Sequence, residues 1–155
     1  MEQSKEQYFI LPNQSFDDIP KDIQQLYIYH TNTENMTILN ISNYSFHQLK
    51  SITIGRDCFK HVREFVVDGL ESLESVKIGY ECFRISYDER DDGVCRITNC
   101  PNLRQLEIGG DSFEDFKSFE LSNLNSIQSI KFGDICFLYA DFSLKGEWKE
   151  WKKWM

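Results

Sequence analysis

Apolar and polar residues alternate in short runs along this chain, and the runs repeat. Four segments align without gaps: LKSITIGRDCF (49–59), LESVKIGYECF (73–83), LRQLEIGGDSF (103–113) and IQSIKFGDICF (127–137). Their starts lie 24, 30 and 24 residues apart, and every copy carries G-x-x-[CS]-F. In each, an apolar pair flanks one polar residue: Ile52/Ile54, Val76/Ile78, Leu106/Ile108 and Ile130/Phe132. A period of two with β-branched enrichment predicts strands whose apolar pairs turn inward. A second segment follows each of the four: FVVDGL (65–70), CRITNC (95–100), FELSNL (119–124) and FSLKG (142–146). It alternates as well, so each repeat is expected to hold two short strands. Recurrence in this range marks an array, because one unit cannot bury its apolar side and stacked units can.

Stacked strands lie about 4.8 Å apart, so equivalent residues become columns. Gly55, Gly79, Gly109 and Gly133 close the first strand of each repeat, for a turn of positive φ or for close backbone packing. Asp57, Glu81 and Asp111 follow two residues later, with Ile135 as the exception, and are placed to accept turn N–H groups. Cys58, Cys82, Ser112 and Cys136 form a column of small side chains, and Phe59, Phe83, Phe113 and Phe137 a column of rings. The ring column accounts for an aromatic content in which Phe, at 12, outnumbers Tyr at 7 and Trp at 3.

With this rhythm the chain resembles leucine-rich-repeat proteins. The L-x-x-I-x-I-G-x-x-[AS]-F pattern of the BspA-like (Treponema-type) class and of related protist repeat families is similar to the segments above. The resemblance covers residues 36–146, and FDDIPKDIQQLYIY (16–29) reads as a weaker, earlier repeat. Asp57, Glu81, Asp111 and Ile135 stand where such repeats carry asparagine. The resemblance implies a β-rich repeat solenoid, leucine-rich-repeat-like, of about five stacked coils with two short parallel strands per coil. Residues 1–35 would be an N-terminal cap and degenerate first repeat, 36–146 the solenoid, and 147–155 a cap or a truncated next repeat.

At 155 residues the chain has the length of one domain. Its net charge of −8 argues against a nucleic-acid partner. No apolar run reaches the roughly 18 residues of a candidate membrane span, so no membrane partner is expected. MEQSKEQYFI lacks the apolar centre of a secretory signal, so the protein is expected inside the cell, in the cytoplasm, with its five cysteines reduced. Four N-x-[ST] sequons, at Asn13, Asn35, Asn40 and Asn43, would matter only in a secreted protein. They keep a surface or secreted adhesion module open as the alternative, beside a truncated fragment of a larger repeat protein.

Chemistry-bearing constellations are sparse. The longer second interval holds six extra residues near RISYDERDDGV (84–94), whose Asp88, Glu89, Asp91 and Asp92 suggest calcium. An EF-hand frame from Asp88 puts Arg90 third and Asn99 twelfth, so a solvated acidic loop is the plainer expectation. Cys95 and Cys100 are a C-x4-C without a second pair, and His30, His47 and His61 lack metal spacing. No nucleophile elbow or phosphate loop occurs. Neither an enzyme, a metal nor a cofactor is expected. In GEWKEWKKWM (146–155), Trp148, Trp151 and Trp154 recur every three residues between lysines, a cap or an interfacial anchor.

Surface remains. Outward positions of the four aligned strands carry net +2 on an acidic chain. That sheet face is expected to meet a protein partner through Lys77, Arg104, Glu107 and Lys131, and no aromatic cluster is expected on it.

Overall fold

The computed structural model describes residues 6–10, 14–29, 36–85 and 93–146. Eleven strands occur among them: β1 Gln7–Ile10, β2 Gln25–Ile28, β3 Ile38–Asn40, β4 Ser51–Ile54, β5 Glu64–Asp68, β6 Ser75–Ile78, β7 Val94–Thr98, β8 Gln105–Ile108, β9 Ser118–Ser122, β10 Ser129–Phe132 and β11 Asp141–Lys145. The described helical residues are two short 3-10 turns, Phe16–Asp18 and Ile41–Tyr44. From β2 onward the chain alternates between two parallel sheets. One has six strands in the order β1-β2-β4-β6-β8-β10, the other five in the order β11-β9-β7-β5-β3. The architecture is repeat-like and β-rich. Five circuits of two strands follow a first strand, β1, that the sequence did not announce.

Each aligned segment lands in the six-stranded sheet and each following segment in the five-stranded one. Registers run straight across: Ile52 faces Val76, Val76 faces Leu106 and Leu106 faces Ile130. The inward pairs Ile52/Ile54, Val76/Ile78 and Leu106/Ile108 are buried to 1% exposure or less. The last inward pair departs from expectation. Ile130 is only partly buried and Phe132 is 40% exposed. Both sit on β10, the edge strand, so among the described residues no further rung covers one flank of each side chain.

A turn residue leads into each of the last four circuits. Ser45, Gly69, Asn99 and Asn123 have φ of 59°, 71°, 54° and 54°. Apolar residues then follow at the first, fourth, seventh and ninth positions, as Leu70, Leu73, Val76 and Ile78 do after Gly69. A left-handed residue turns the chain out of the five-stranded sheet, and the apolar spacing then leads it into the other.

The glycines at 55, 79, 109 and 133 serve close approach; none is among the positive-φ positions. A Cβ on Gly79 would stand 2.9 Å from the carbonyl carbon of Gly55, and one on Gly109 2.6 Å from that of Gly79. Positive φ falls instead on the second and fourth residues after each glycine, including Phe59, Phe83, Phe113 and Phe137 at 51–61°. This backbone costs a non-glycine residue roughly 1–2 kcal/mol. Burial of the ring offsets it: all four Phe are 2% exposed or less. The carboxylates of Asp57 and Glu81 pair with Lys60, Arg56 and Arg84 at the surface rather than closing the turn. Their backbone N–H groups bond forward, to Tyr80 and Gly110 carbonyls at 2.9 and 3.0 Å.

The small-residue column is a hydrogen-bonded spine. Cys82 Sγ donates to the Gly55 carbonyl at 2.9 Å, Ser112 Oγ to that of Gly79 at 2.8 Å, and Cys136 Sγ to that of Gly109 at 3.0 Å. Thus Cys and Ser interchange here because each offers one short donor to the preceding rung. The rings beside them stack in sequence, Phe59 on Phe83, Phe83 on Phe113 and Phe113 on Phe137, with centroids 5.2, 4.5 and 4.8 Å apart.

Candidate interaction face

Alternation decides which side chains leave the six-stranded sheet. With Leu26/Ile28 and Ile52/Ile54 inward, Tyr27 and Thr53 turn outward, and registers carry that column across the sheet. It reads Phe9, Tyr27, Thr53, Lys77, Glu107 and Lys131. The structure therefore brings three of the four nominated residues into one line. Arg104 lies just before β8 in a parallel line, with Glu74 N bonded to the Lys50 carbonyl and Arg104 N to that of Glu74.

Charge alternates along both lines: Lys77, Glu107, Lys131 in one, Lys50, Glu74, Arg104 in the other. Lys77 Nζ lies 4.0 Å from Glu107 Oε2, and both side chains are more than half exposed. An ion pair this exposed contributes ~0–1 kcal/mol. Arg104 and Lys131 have no ion-pair partner among the described residues. Alternation prevents like charges from facing each other a rung apart, which would destabilise the sheet. It also leaves the face without a strong field of either sign.

The other half of the face corrects an expectation. Phe9, Tyr27 and Tyr29 form an aromatic cluster on it. Phe9 stacks on Tyr27 with centroids 4.5 Å apart and planes 11° from parallel, and Tyr29 lies 6.3 Å from Tyr27 at 13°. Phe9 is 43% and Tyr29 40% exposed. Polar neighbours fix the stack: Gln7 Nε2 donates to Gln25 Oε1 at 2.9 Å, and the Tyr27 hydroxyl donates to the same oxygen at 3.1 Å. Gly55 makes room for Tyr29, whose ring occupies the space that a Cβ at 55 would need. Sequence reasoning missed this cluster because it took outward positions only from residue 50 on. The signal was present in QYFI and QLYIY, where the same alternation places these aromatics outward.

Elsewhere the described residues offer little chemistry. No group of three His, Cys, Asp or Glu among them is placed to hold a metal. The thiols of Cys58, Cys82, Cys95 and Cys100 are buried, and that of Cys136 is partly buried. The Cys58 thiol beside it, and then burial, push the Cys82 thiol up, and burial alone raises Cys95. Burial also pushes Cys100 up to about 11. A reactive cysteine needs the opposite shift. His47 and His61 are exposed. The hollows lined by Arg56, Tyr80, Glu81 and Asp111, and by Ser42, His47, Asp68 and Glu71, are shallow and open. His30, the acidic stretch at 86–92, Asn13, Asn35 and the three tryptophans lie outside the described residues. Among those described, no helix is long and apolar enough to cross a membrane.

Compared with protein-family models, with curated proteins and with solved structures, the chain finds no match in any of the three.

Proposed function

We propose that this chain is a leucine-rich-repeat-like solenoid of the BspA-like kind whose role is non-catalytic protein–protein interaction. The partner docks on the outward face of the six-stranded sheet. One observation carries the reading: the exposed, stacked Phe9–Tyr27–Tyr29 cluster on the outward face of six hydrogen-bonded strands. Aromatic anchors supply much of the binding energy at protein interfaces. A sheet already ordered by its neighbours loses little conformational freedom on docking. Lys77, Arg104, Glu107 and Lys131 then act at the rim, where alternating charge selects among partners more than it adds affinity. The buried, unactivated thiols favour this role over catalysis.

The test is capture from source-cell lysate with three baits. One is the unaltered chain, one carries Phe9→Ser with Tyr29→Ser, and one carries charge reversals at Lys77, Arg104 and Lys131. A protein held by the first bait, lost with the second and weakened with the third supports the reading. Equal capture by all three overturns it.

An adhesion module at the cell surface is the second reading. Asn43, in an N-x-S sequon, is exposed, whereas the Asn40 side chain accepts from Ser42 N at 3.0 Å and caps a 3-10 turn. Glycan on Asn43 in the native protein would decide for it.

A further inference from the structure

Charge on the six-stranded sheet is laid out in two rows that cross the strands. One row holds Thr53, Lys77, Glu107 and Lys131 in register. The other lies three residues earlier in each repeat and holds Lys50, Glu74, Arg104 and Gln128. Its backbone is joined rung to rung as well: Glu74 N bonds the Lys50 carbonyl, Arg104 N that of Glu74 and Gln128 N that of Arg104. Three residues of strand set the rows roughly 10 Å apart. All the charged side chains of both rows are exposed. Lys77 and Glu107 pair within the chain, whereas Lys50, Glu74, Arg104 and Lys131 have no ion-pair partner among the described residues.

The β6 rung thus carries Lys77 with Glu74, and the β8 rung carries Glu107 with Arg104, in the inverted order. Such a checkerboard is its own complement. A two-fold contact uses the same patch on both copies, so the patch must complement itself. A two-fold axis that crosses the strands midway between the rows keeps every strand on its own rung and turns it end for end. Each row then faces the other row of the second copy. Lys77 meets Glu74 and Glu107 meets Arg104, in both directions. Lys50 meets Thr53 and Lys131 meets Gln128, so no like charges are opposed. Moving the axis onto the Lys77 row would set Lys77 and Glu107 each against itself. An axis along the strands, between β6 and β8, also matches the charges but leaves β1 and β2 opposite no described strand of the copy. The first arrangement instead lays the aromatic rungs, with Tyr27 and the 40% exposed Tyr29, on those of the second copy.

We propose that the sheet face closes on a second copy of this chain in that antiparallel two-fold arrangement, which rests on the docking role proposed above and names the partner. Charge sets the register, and the aromatic rungs supply apolar contact. The chain carries −8, while the two rows hold four cations and two carboxylates, so two acidic copies meet on a surface that is not itself acidic. Six strands by four residues cover roughly 24 by 13 Å, a small contact that should form reversibly.

Sedimentation of the full chain over about a hundredfold range of concentration should show a monomer–dimer equilibrium that added salt weakens. Lys77→Glu and, separately, Glu74→Lys oppose like charges in both halves of the contact. Each should weaken the dimer about tenfold or more while circular dichroism still reports strand. In an equal mixture the two substitutions face each other with opposite signs, and the mixed dimer should return to near the original affinity. The axis along the strands allows no such rescue, since Lys77→Glu would then oppose Glu107. Phe9→Ser with Tyr29→Ser, elsewhere on the same face, should weaken the dimer too. A chain that stays monomeric throughout the range overturns the proposal. So does a dimer that withstands all of these substitutions, or one that both charge reversals weaken and their mixture does not restore. A monomer that still captures a different protein through this face from lysate leaves the docking role standing without a second copy, and a monomer that captures none overturns both.

Discussion

Phe83 stacks on Phe113 with ring centroids 4.5 Å apart and planes 9° from parallel, although the two belong to successive repeats with a whole circuit of chain between them. Phe65 and Phe116, from the links and the other sheet, close on the same pair, with Phe65 4.7 Å from Phe83 and Phe116 4.9 Å from Phe113 edge-on. The core between the sheets is thus a continuous run of rings, and its middle rungs have aromatic contacts on several sides.

Phe83→Ala should therefore cost about 3–5 kcal/mol, as for other buried rings replaced by Ala. Thermal unfolding checks it, with a drop on the order of 10 °C for a chain of this size. Phe83→Leu, which keeps most of the volume, should lose clearly less. Equal stability of Phe83→Ala and the unaltered chain would mean that the rings do not hold the rungs together.

Glycines of two kinds should respond differently. Gly109→Ala puts a Cβ 2.6 Å from the backbone of Gly79, where nothing flexible can yield. Gly69 has φ +71° and open space around the missing side chain. Asn99 and Asn123 occupy the equivalent turn, with Asn123 Nδ2 donating to Asn99 Oδ1 at 2.8 Å and Asn99 Nδ2 to Asp68 Oδ1 at 2.8 Å. Gly69→Asn should thus stay within about 1 kcal/mol of the original, and Gly109→Ala should fall well below it in urea unfolding.

Alkaline pH should weaken the fold through its thiols. Burial raises Cys95 and Cys136, lifts Cys100 to about 11, and raises Cys82 after the effect of the Cys58 thiol. An acid whose folded pKa exceeds its unfolded one holds its proton longer when folded. The stabilisation is complete below the unfolded value near 9 and is lost as pH rises toward the folded values. Urea midpoints should be flat in this respect from pH 7 to 8 and decline above 9. Cys95→Ala should shallow that decline. Native thiols should also resist a thiol reagent at pH 8 and react once the chain is unfolded.

Breaking the exposed ion pair should separate binding from stability. Glu107→Gln removes the carboxylate 4.0 Å from Lys77 yet should change unfolding free energy by less than about 1 kcal/mol. Reversal to Glu107→Lys sets three cations in consecutive rungs with Lys77 and Lys131. It should cost more, and added salt should recover part of the loss. Urea unfolding at low and high salt is the check.

The strand faces, the ring column and the thiol column were all legible in the sequence. They depend on local alternation and on a recurrence regular enough to align by inspection. β1 and the aromatic cluster were harder to read, because the step from Gln7 to Gln25 is much shorter than the step from Gln25 to Ser51. Unequal links hide the equivalence of Phe9, Tyr27 and Thr53 until hydrogen bonding puts them in register. The nominated charges were found where alternation placed them, outward and exposed. Their mutual compensation was not visible, since it depends on which rung lies next to which.

By itself the sequence determined which side of each strand is apolar and which residues share a column, because side chains alternate with a period of two and equal repeats stack in register. Only the tertiary structure decided exposure. Ile108 and Phe132 hold the same place in their strands, yet one is buried to 1% and the other is 40% exposed. The difference is a neighbouring rung: burial belongs to what packs against a residue, and the repeat pattern alone does not say where the packing stops.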